Sequence, residues 1–467
     1  MENYIIIGII AVIIIIAILS SVKHFKGEGG CCGGGSYKPK RKKLSGIKYT
    51  KKFKVGGMHC EHCKNRVEEA VSDIKGVAGR VDLKKGELTV SYAEDVDDDV
   101  IRKKIERAGY THTHTGPYTS KLFGADFDEA YMASVTAKTI SALQQAVASL
   151  APAELYAAET ECRTLAFNRR YIMKNGKTLT NPGKLNPEID HPEGTTDPRI
   201  IMMQVKQNGR AVFMLANISN HTDTIGGDWV SADWPGIMEK EIQYQLGYDI
   251  PVMTIIAPQG NINHFDVSTG ESQTDYAEAV RIGKAYAAVL LSALYRFKKI
   301  ENTSIRTAMS EFEAPYYQVS DAEYNEAKKV YEENKDAFME AGRDFTSEDI
   351  ARGVPFVKKY FAERLLECRD NPITTKRFEQ QIVIAFSEEL AVVSLPAEPF
   401  VELGIAIREA SRYPMTVLAA LGMGEVGYVG LPNNYGNGGY ETSPSRGLAD
   451  PTVGEAIIKG AIELLNK

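Results

Sequence analysis

Apolar residues fill the first part of the chain without interruption. No residue from Tyr4 to Val22 is charged, and isoleucine is the most frequent residue there. A helix of that length extends about 28 Å at about 1.5 Å per residue, which matches the hydrocarbon core of a bilayer. A secretory signal peptide is the alternative, but it needs a basic start, a shorter apolar core and a small-residue cleavage site. The chain begins Met1-Glu2-Asn3, so the pattern favours an uncleaved transmembrane helix within residues 1–24.

Positive charge is concentrated directly after this apolar run. The basic residues there are Lys23, His24, Lys26, Lys38, Lys40, Arg41, Lys42 and Lys43. The positive-inside rule then predicts a single-pass protein of the cell membrane whose C-terminal domains are cytoplasmic. The lipid bilayer is the partner that this prediction implies. The basic residues could contact anionic headgroups or act only as a stop-transfer flank.

Residues 25–46 have the composition of a flexible linker. The run Gly29-Gly30-Cys31-Cys32-Gly33-Gly34-Gly35 has too few side chains to build a core. Its cysteine pair is open to three interpretations: an accessory soft-metal site, a lipid attachment point or an ordinary pair of thiols.

Residues 47–110 alternate short strand patterns with helical ones. The predicted elements are a strand over Tyr49–Val55, a helix with Val67, Ala70, Val71 and Ile74 on one face, strands over Gly79–Asp82 and Glu87–Tyr92, and a helix over Val100–Ala108. This order predicts a small α+β domain.

Residues 111–467 also mix helical and strand periodicity. The predicted elements are an amphipathic helix over Asp128–Leu150 with Met132, Val135, Ile140, Leu143 and Val147 on one side, a hairpin of Ile200–Val205 and Ala211–Ala216 around Asn208-Gly209, a strand over Val252–Ala257, a helix over Asp275–Phe297, a hairpin of Gln381–Ser387 and Leu390–Leu395, a helix over Phe400–Ser411 and a strand over Met415–Leu421. The pattern predicts an α/β or α+β domain with a mixed sheet.

Composition limits the partners that the chain can have. Hydrophobic residues make up 43% of 467 residues and charged residues 25%, which is typical of several globular domains. A formal net charge of −6 supplies no global basic surface, so nucleic acid is not expected as a partner. Six cysteines in so long a chain do not form a disulfide scaffold, and four of them lie in two tight pairs.

One of these pairs, Cys60 and Cys63, precedes the first predicted helix of residues 47–110. Two cysteines three positions apart can bring both sulfur atoms onto one ion, and a helix N-terminus favours the thiolate. Thiolates are soft ligands that suit Cu(I), Zn²⁺ and Cd²⁺. With two protein ligands the site is open, which suits transfer to a partner. Redox enzymes also use this spacing, so the motif alone leaves that alternative open.

The whole segment resembles heavy-metal-associated (HMA) domains. The resemblance rests on Gly57-Met58-His59-Cys60-Glu61-His62-Cys63, on Gly76-Val77 and on Ala108-Gly109-Tyr110. It implies a ferredoxin-like βαββαβ fold, Cys60 and Cys63 as metal ligands, Met58 as a buried support of the loop, and a metal-transfer partner such as a P-type ATPase. His59 and His62 depart from the commonest residues at their positions and could be extra ligands or exposed loop residues.

Polar residues that can bind metal follow several predicted strands of residues 111–467. They are His112 and His114 in Thr111-His112-Thr113-His114, His221 after the first hairpin, Glu398 after Leu390–Leu395, and Tyr428 after Met415–Leu421. Sites in open α/β sheets form where such strand ends meet. Two imidazoles and a carboxylate make a usual open zinc site, although each of these residues by itself is as well explained by a structural role.

This segment resembles the catalytic domain of neutral ceramidases, which are zinc amidases. The resemblance rests on the strings 111–117 (THTHTGP), 168–170 (NRR), 220–221 (NH), 231–233 (SAD), 396–398 (PAE), 427–429 (GYV) and 439–441 (GYE). It implies that His112, His221, Glu398 and Tyr428 bind Zn²⁺, that His114 lies beside the attacking water, and that Arg169 and Tyr440 stabilise the oxyanion.

Two departures from that family stand out. Its Gly-Asp-Val-Ser-Pro-Asn loop, whose serine contacts the substrate amide, is Gly260-Asn261-Ile262-Asn263-His264 here, which makes ceramide itself doubtful as the substrate. The family also has roughly a hundred residues before the histidine motif, whereas here the HMA segment ends at Tyr110 and the motif starts at Thr111. Residues 111–467 are therefore expected to lack the first strands of the sheet, which should leave a sheet edge and apolar helix faces uncovered.

Three functions are compatible with this organisation. In the first, residues 47–110 bind a soft metal and pass it on; because this domain is uninterrupted, it is the preferred function. In the second, residues 111–467 are a zinc-dependent hydrolase of linear amides, and in the third they are an inactive remnant. Enzymatic activity is therefore an open question at the level of the sequence.

Overall fold

The computed structural model describes residues 44–54, 68, 71–72, 74–82, 87–96, 129–226, 231–338, 347–373, 376–444 and 448–467. They fall into two compact units, the first ending at Gln145 and the second beginning at Ala146. Both contain helices and strands, so the predicted α+β class is confirmed.

A three-stranded antiparallel sheet forms the centre of the first unit. Its strands are β1 (Tyr49–Lys54), β2 (Val77–Asp82) and β3 (Glu87–Tyr92), in the order β1-β3-β2. Val77, Leu88 and Val90 are fully buried, because alternate side chains of paired strands point to the same face. The three strands predicted from the sequence are confirmed.

The helix that follows the cysteine motif is described at Glu68, Val71 and Ser72. The Glu68 carboxylate is buried and accepts a hydrogen bond of 2.8 Å from the Val81 amide. Val71 is fully buried in the same core as the sheet. This helix is therefore attached to β2 by the Glu68 hydrogen bond and by the packing of Val71 in the shared core. The second predicted helix, Val100–Ala108, lies outside the described residues.

The predicted amphipathic helix forms over Glu129–Ala148 and is named α1. Its apolar stripe is only partly covered: Leu143 is 9% exposed, but Val135, Ile140 and Val147 are 37%, 42% and 51% exposed. The prediction of the helix is confirmed, and part of its apolar side is exposed.

The prediction of a membrane-spanning helix, and with it of a single-pass membrane location, is corrected here. No helix in the described ranges is both long enough and apolar enough to cross a bilayer. Helix α1 has 20 residues, but polar residues such as Glu129, Lys138 and Gln145 are distributed along it, and each would be costly in hydrocarbon. The predicted span itself, Tyr4–Val22, lies outside the described residues.

The second unit contains two larger sheets and several short pairings. Its strands are β4 (Glu154–Glu161), β5 (Phe167–Asn168), β6 (Arg170–Met173), β7 (Thr178–Thr180), β8 (Ile189–Pro192), β9 (Arg199–Gln207), β10 (Arg210–Ile218), β11 (Val252–Ile256), β12 (Ile262–Asn263), β13 (Lys298–Lys299), β14 (Arg306–Glu313), β15 (Phe378–Ala385), β16 (Leu390–Leu395), β17 (Glu398–Pro399), β18 (Met415–Ala420) and β19 (Tyr428–Val429). Its helices are α2 (Asp233–Leu246), α3 (Tyr276–Ser292), α4 (Asp321–Asn334), α5 (Ser347–Arg352), α6 (Pro355–Asp370), α7 (Val401–Ala410) and α8 (Val453–Asn466).

The five-stranded sheet has the order β11-β10-β9-β4-β13. Strands β9 and β10 form the predicted hairpin, and Asn208 and Gly209 both have positive φ, at 50° and 78°, as a two-residue hairpin turn requires. Strand β11 pairs in parallel with β10 and lies at one edge of this sheet in the described part of the chain. Parallel and antiparallel pairs coexist, so the predicted mixed sheet is confirmed.

The four-stranded sheet has the order β14-β15-β16-β18. It is also mixed, because β16 and β18 are parallel whereas the other neighbours are antiparallel. Strands β14 and β15 pair directly, although residues 314–377 separate them in the chain and contain α4, α5 and α6. A helical segment is thus inserted between two adjacent strands.

A buried asparagine joins the two sheets. The Asn217 side chain on β10 donates to the backbone oxygens of Ile255 and Leu418, both at 2.9 Å. It also accepts hydrogen bonds from the Leu418 amide at 3.0 Å and from the Arg408 guanidinium at 2.9 Å. Arg408 in turn donates to Asp197 at 2.6 Å. One fully buried side chain therefore satisfies polar groups of β11, β18 and α7.

Replacing Asn217 with leucine should destabilise the second unit by about 3–5 kcal/mol, because buried donors and acceptors and the Arg408 charge would lose a partner. Denaturant unfolding monitored by circular dichroism would measure the change. Asn433→Leu, at an exposed position of the same unit, is the control and should change stability by less than about 0.5 kcal/mol. Equal effects of the two substitutions would contradict this role of Asn217.

Candidate metal centre

Several predicted site residues lie outside the described residues. They are Cys60 and Cys63 with their neighbours Met58, His59 and His62, and the two histidines His112 and His114. The predicted site residues that the structure describes are His221, Glu398, Tyr428, Arg169 and Tyr440.

The structure brings His221, Glu398 and Tyr428 together although they are far apart in sequence. The His221 Nε2 atom lies 3.2 Å from Glu398 Oε2 and 3.4 Å from the Tyr428 hydroxyl oxygen. The side chains of His221 and Glu398 are 12% and 19% exposed. A nitrogen, a carboxylate oxygen and a phenol oxygen thus face one point near the surface.

The orientation of His221 is set by a backbone carbonyl. Its Nδ1 atom lies 2.7 Å from the Ile262 oxygen, so Nδ1 faces the backbone and Nε2 faces Glu398 and Tyr428. A backbone carbonyl behind one ring nitrogen is the usual support of a metal-binding histidine. The Ile262 carbonyl therefore fixes the direction in which Nε2 points.

Glu398 and Tyr428 are aligned by strand pairing. Strands β17 and β19 are parallel, and Glu398 is the direct partner of Tyr428 in their register. The Gly260 amide donates to the Pro399 oxygen at 2.8 Å. A Cβ atom at Gly260 would lie 2.5 Å from the Glu398 backbone oxygen, so only glycine permits this approach of the loop.

The donor set fits a zinc ion. Zn²⁺ prefers imidazole nitrogen and carboxylate oxygen, and His221 and Glu398 supply one of each. Within the ranges that the structure describes, no group of three or more His, Cys, Asp and Glu side chains could hold a metal ion. The third donor at this point is the Tyr428 phenol, and the fourth predicted ligand, His112, lies outside those ranges.

Arg169 lies next to Tyr428, with its guanidinium carbon 5.2 Å from the ring centroid. Burial raises the pKa of Tyr428, and the positive charge of Arg169 offsets part of that increase. Arg169 Nη2 donates to the Gly260 oxygen at 2.8 Å, and its Nε forms an ion pair of 2.8 Å with Glu441. Protein groups thus hold this guanidinium on two sides.

Glu441 is a fully buried carboxylate between two arginines. Besides Arg169 it binds Arg170 at 2.8 Å and accepts a hydrogen bond from Thr180 at 2.7 Å. Arg170 is itself fully buried and also pairs with Glu193. Burial by itself would raise the pKa of Glu441, but the two arginines outweigh it and the pKa is lowered.

The predicted residue Tyr440 directly precedes Glu441, and its side chain lies next to Tyr428. Its ring meets that of Tyr428 edge to face, with centroids 5.9 Å apart, and the residue is 42% exposed. Gly439 before it has φ of 91°, and a Cβ there would lie 2.1 Å from Arg170 Nη1. Tyr440 also borders a cavity of about 640 Å³ whose other walls include Val330, Val357 and Phe361 of α4 and α6.

Asp223 and His264 form an ion pair of 3.3 Å beside His221. Burial by itself would raise the pKa of Asp223, but the neighbouring His264 and Arg169 outweigh it and lower the pKa to about 2. The sequence reasoning did not identify Asp223, Glu193 or Glu441 as site residues. For Asp223, the feature of the sequence that could have indicated a site residue is its position two residues after the predicted ligand His221.

The side chains of the loop at residues 260–264, which differs from the ceramidase family in sequence, are buried in the structure. Asn263 is 2% exposed, accepts a hydrogen bond from the Phe265 amide at 3.1 Å and contacts Asn181. Asn261 is 1% exposed and binds the Val401 amide and Glu402. Both asparagine side chains are thus used inside the fold.

The protein-family model for the heavy-metal-associated domain matches residues 52–111. Copper chaperone CopZ of Staphylococcus haemolyticus is 40% identical over 63 residues, which are 13% of this chain and 93% of that protein. Copper chaperone CopZ of Enterococcus hirae is 43% identical over 60 residues, 12% of this chain and 87% of that protein. Through residues 52–111 the chain belongs to the heavy-metal-associated domain family. A zinc-transporting ATPase of Synechocystis sp. is 39% identical over 64 residues, 13% of this chain and 9% of that protein.

Two solved structures share the fold of most of the chain. A ceramidase complexed with C2 superposes with a TM-score of 0.53 at 16% identity, over 76% of this chain and 60% of that chain. Neutral ceramidase from Pseudomonas aeruginosa has a TM-score of 0.50 at 15% identity, over 76% and 59%. The chain thus spans about 60% of the length of these solved chains, and the predicted likeness to ceramidases is confirmed for the fold.

Replacing Glu441 with glutamine should destabilise the second unit by about 3–5 kcal/mol, because it removes the carboxylate that neutralises two buried arginines. The effect should also depend on pH. Because folding lowers the pKa of Glu441, its stabilisation is complete above the unfolded value of about 4.3 and decreases as the pH falls below it.

Urea unfolding at neutral pH and at about pH 3.5, below that unfolded value, tests this expectation. The difference in stability between the wild type and Glu441→Gln should shrink at the lower pH. Glu463→Gln, at an exposed position of α8, is the control and should be neutral at both. A difference that stays constant with pH would contradict a stabilising charge on Glu441.

Proposed function

We propose that this chain binds a soft metal ion, Cu(I) or a similar ion, through Cys60 and Cys63 of its heavy-metal-associated domain. The observation that carries the proposal is family membership over residues 52–111, which include both cysteines in the Cys-x-x-Cys spacing. Two thiolates at a helix start suit a soft cation. A two-ligand site releases its ion readily, so a P-type ATPase is the proposed kind of transfer partner; one of the similar proteins is a zinc-transporting ATPase.

The described part of the domain supports this function by its rigidity. The helix after the motif is held by the Glu68–Val81 hydrogen bond and by Val71 in the core. These contacts fix the described part of the helix to the sheet.

Cu(I) titration of the full-length chain against a chromogenic chelator tests the proposal. We expect one tightly bound ion per chain and at least a tenfold loss of affinity in Cys60→Ser/Cys63→Ser, because serine oxygen is a poor ligand for a soft ion. Cys162→Ser/Cys368→Ser, which changes two cysteines of the second unit, is the matched control. Undiminished binding in the first double variant would refute the proposal.

We also propose that residues 111–467 are a zinc-dependent hydrolase of linear amides, acting on an N-acyl bond of the ceramide kind or a related one. The observation that carries it is the His221 imidazole, whose Nδ1 is bound to Ile262 while Nε2 faces Glu398 and Tyr428. His221, Glu398 and Tyr428, with His112, would hold the ion. Zinc supplies a water of lowered pKa and polarises a carbonyl.

The chain's own residues have separate tasks in this proposal. The exposed Tyr440 hydroxyl donates a hydrogen bond to the oxyanion, and the Arg169 charge favours negative charge beside Tyr428. Glu441 and the Gly260 carbonyl keep the guanidinium in place. His114 is proposed to lie beside the attacking water, and the apolar cavity next to Tyr440 suits the acyl part of the substrate.

Zinc content tests this second proposal. In a Cys60→Ser/Cys63→Ser background, the chain should retain one zinc ion after dialysis, and His221→Ala should lose most of it, because the ring supplies the nitrogen ligand. Elemental analysis by mass spectrometry measures the ratio of zinc to protein. His191→Ala, at an exposed position, is the control. A folded chain without zinc would instead favour an inactive remnant.

A further inference from the structure

A carboxylate at the candidate metal centre is open to solvent although its surroundings are buried. The Asp223 side chain is 39% exposed, whereas those of its neighbours Arg169 and His264 are 6% and 2% exposed. Asp223 follows His221 by two residues, so their Cα atoms are at most about 7.6 Å apart. This carboxylate therefore lies within reach of a substrate bound at the site.

Two buried side chains, those of His264 and Arg169, contact the Asp223 carboxylate. Its Oδ1 pairs with His264 Nδ1 at 3.3 Å and its Oδ2 lies 3.9 Å from Arg169 Nη1. The other ring nitrogen of His264 lies 2.6 Å from the Gln273 carbonyl oxygen. The backbone contact at Nε2 thus holds the ring with Nδ1 toward the Asp223 carboxylate.

An ionised carboxylate has about four acceptor positions, and these two contacts are long. Asp223 consequently has acceptor capacity left on its exposed side. The side chains of Asn261 and Asn263 in the adjacent loop are not exposed acceptors, since both are buried and hydrogen-bonded within the fold. Asp223 is thus an accessible carboxylate acceptor close to His221 that is not itself proposed as a metal ligand.

We propose that Asp223 accepts a hydrogen bond from the N–H of the scissile amide and so makes this site selective for secondary amides over esters. This inference rests on the proposed hydrolase function. An amide N–H is a donor that an ester lacks, so a fixed acceptor distinguishes the two bonds. His264 and Arg169 act as positioning residues that hold the carboxylate in place.

The experiment compares two substrates with the same acyl chain and aryl ring, octanoyl p-nitroanilide with N–H and p-nitrophenyl octanoate with O at the scissile bond. The zinc-loaded full-length chain and its Asp223→Ala variant are assayed with both, and the ratio of the two kcat/KM values is the readout. Loss of one hydrogen bond to a charged group should lower the amide-to-ester ratio about 10- to 100-fold. General damage to the site or partial unfolding affects both substrates and leaves the ratio unchanged.

Asp190→Ala is the matched control, because Asp190 forms an exposed ion pair with His191 at 3.0 Å in the same unit. Its ratio should equal that of the wild type. A ratio that Asp223→Ala leaves unchanged would overturn the inference, and so would a wild type that cleaves the ester alone. A wild type that contains zinc and cleaves neither compound would reject the proposed hydrolase function itself.

Discussion

A carboxylate without contact to water organises the larger unit of this protein. Glu441 binds Arg169 on one side and Arg170 on the other, and Thr180 supplies a further hydrogen bond. Removing one partner from such a buried set leaves an uncompensated charge, which costs far more than a surface ion pair contributes. The arrangement therefore constrains which segments meet, because the two arginines, Thr180 and the loop with Tyr440 are all tied to one side chain.

The contacts around Glu441 also position the residues of the candidate site. Arg169 also donates to the Gly260 carbonyl, and the loop that starts there supplies the Ile262 oxygen behind His221. The same loop is bound to Pro399, next to Glu398. A single network of backbone and charged contacts thus links the histidine, the carboxylate and the two tyrosines. The polar bridge through Asn217 has the same character, since it connects the two sheets whose strand ends bear these residues.

The two units differ in the kind of site that they offer. In the first, the proposed ligands are neighbours in sequence and the scaffold only has to hold a helix end still. In the second, His221 follows β10 whereas Glu398 and Tyr428 lie on the β17–β19 pair, so these three residues meet only when distant segments pack together. A local motif can function in a small domain, whereas a site assembled from distant segments depends on the stability of the whole unit.

The sequence by itself determined the local elements and the identity of the small domain. The strand alternation of residues 77–92, the Asn208-Gly209 turn and the amphipathic helix before Ala148 are encoded by neighbouring residues, and for that reason the sequence was sufficient to predict them. It also named His221, Glu398 and Tyr428, from their positions after predicted strands and from the resemblance, without showing that they meet. Tertiary structure alone decided that Val135 and Val147 of α1 are exposed, that the Asn263 side chain is buried and that the Asp223 carboxylate is partly open to solvent. The physical reason is that burial and partnership depend on residues hundreds of positions apart, and no periodicity in the chain records which of them will meet.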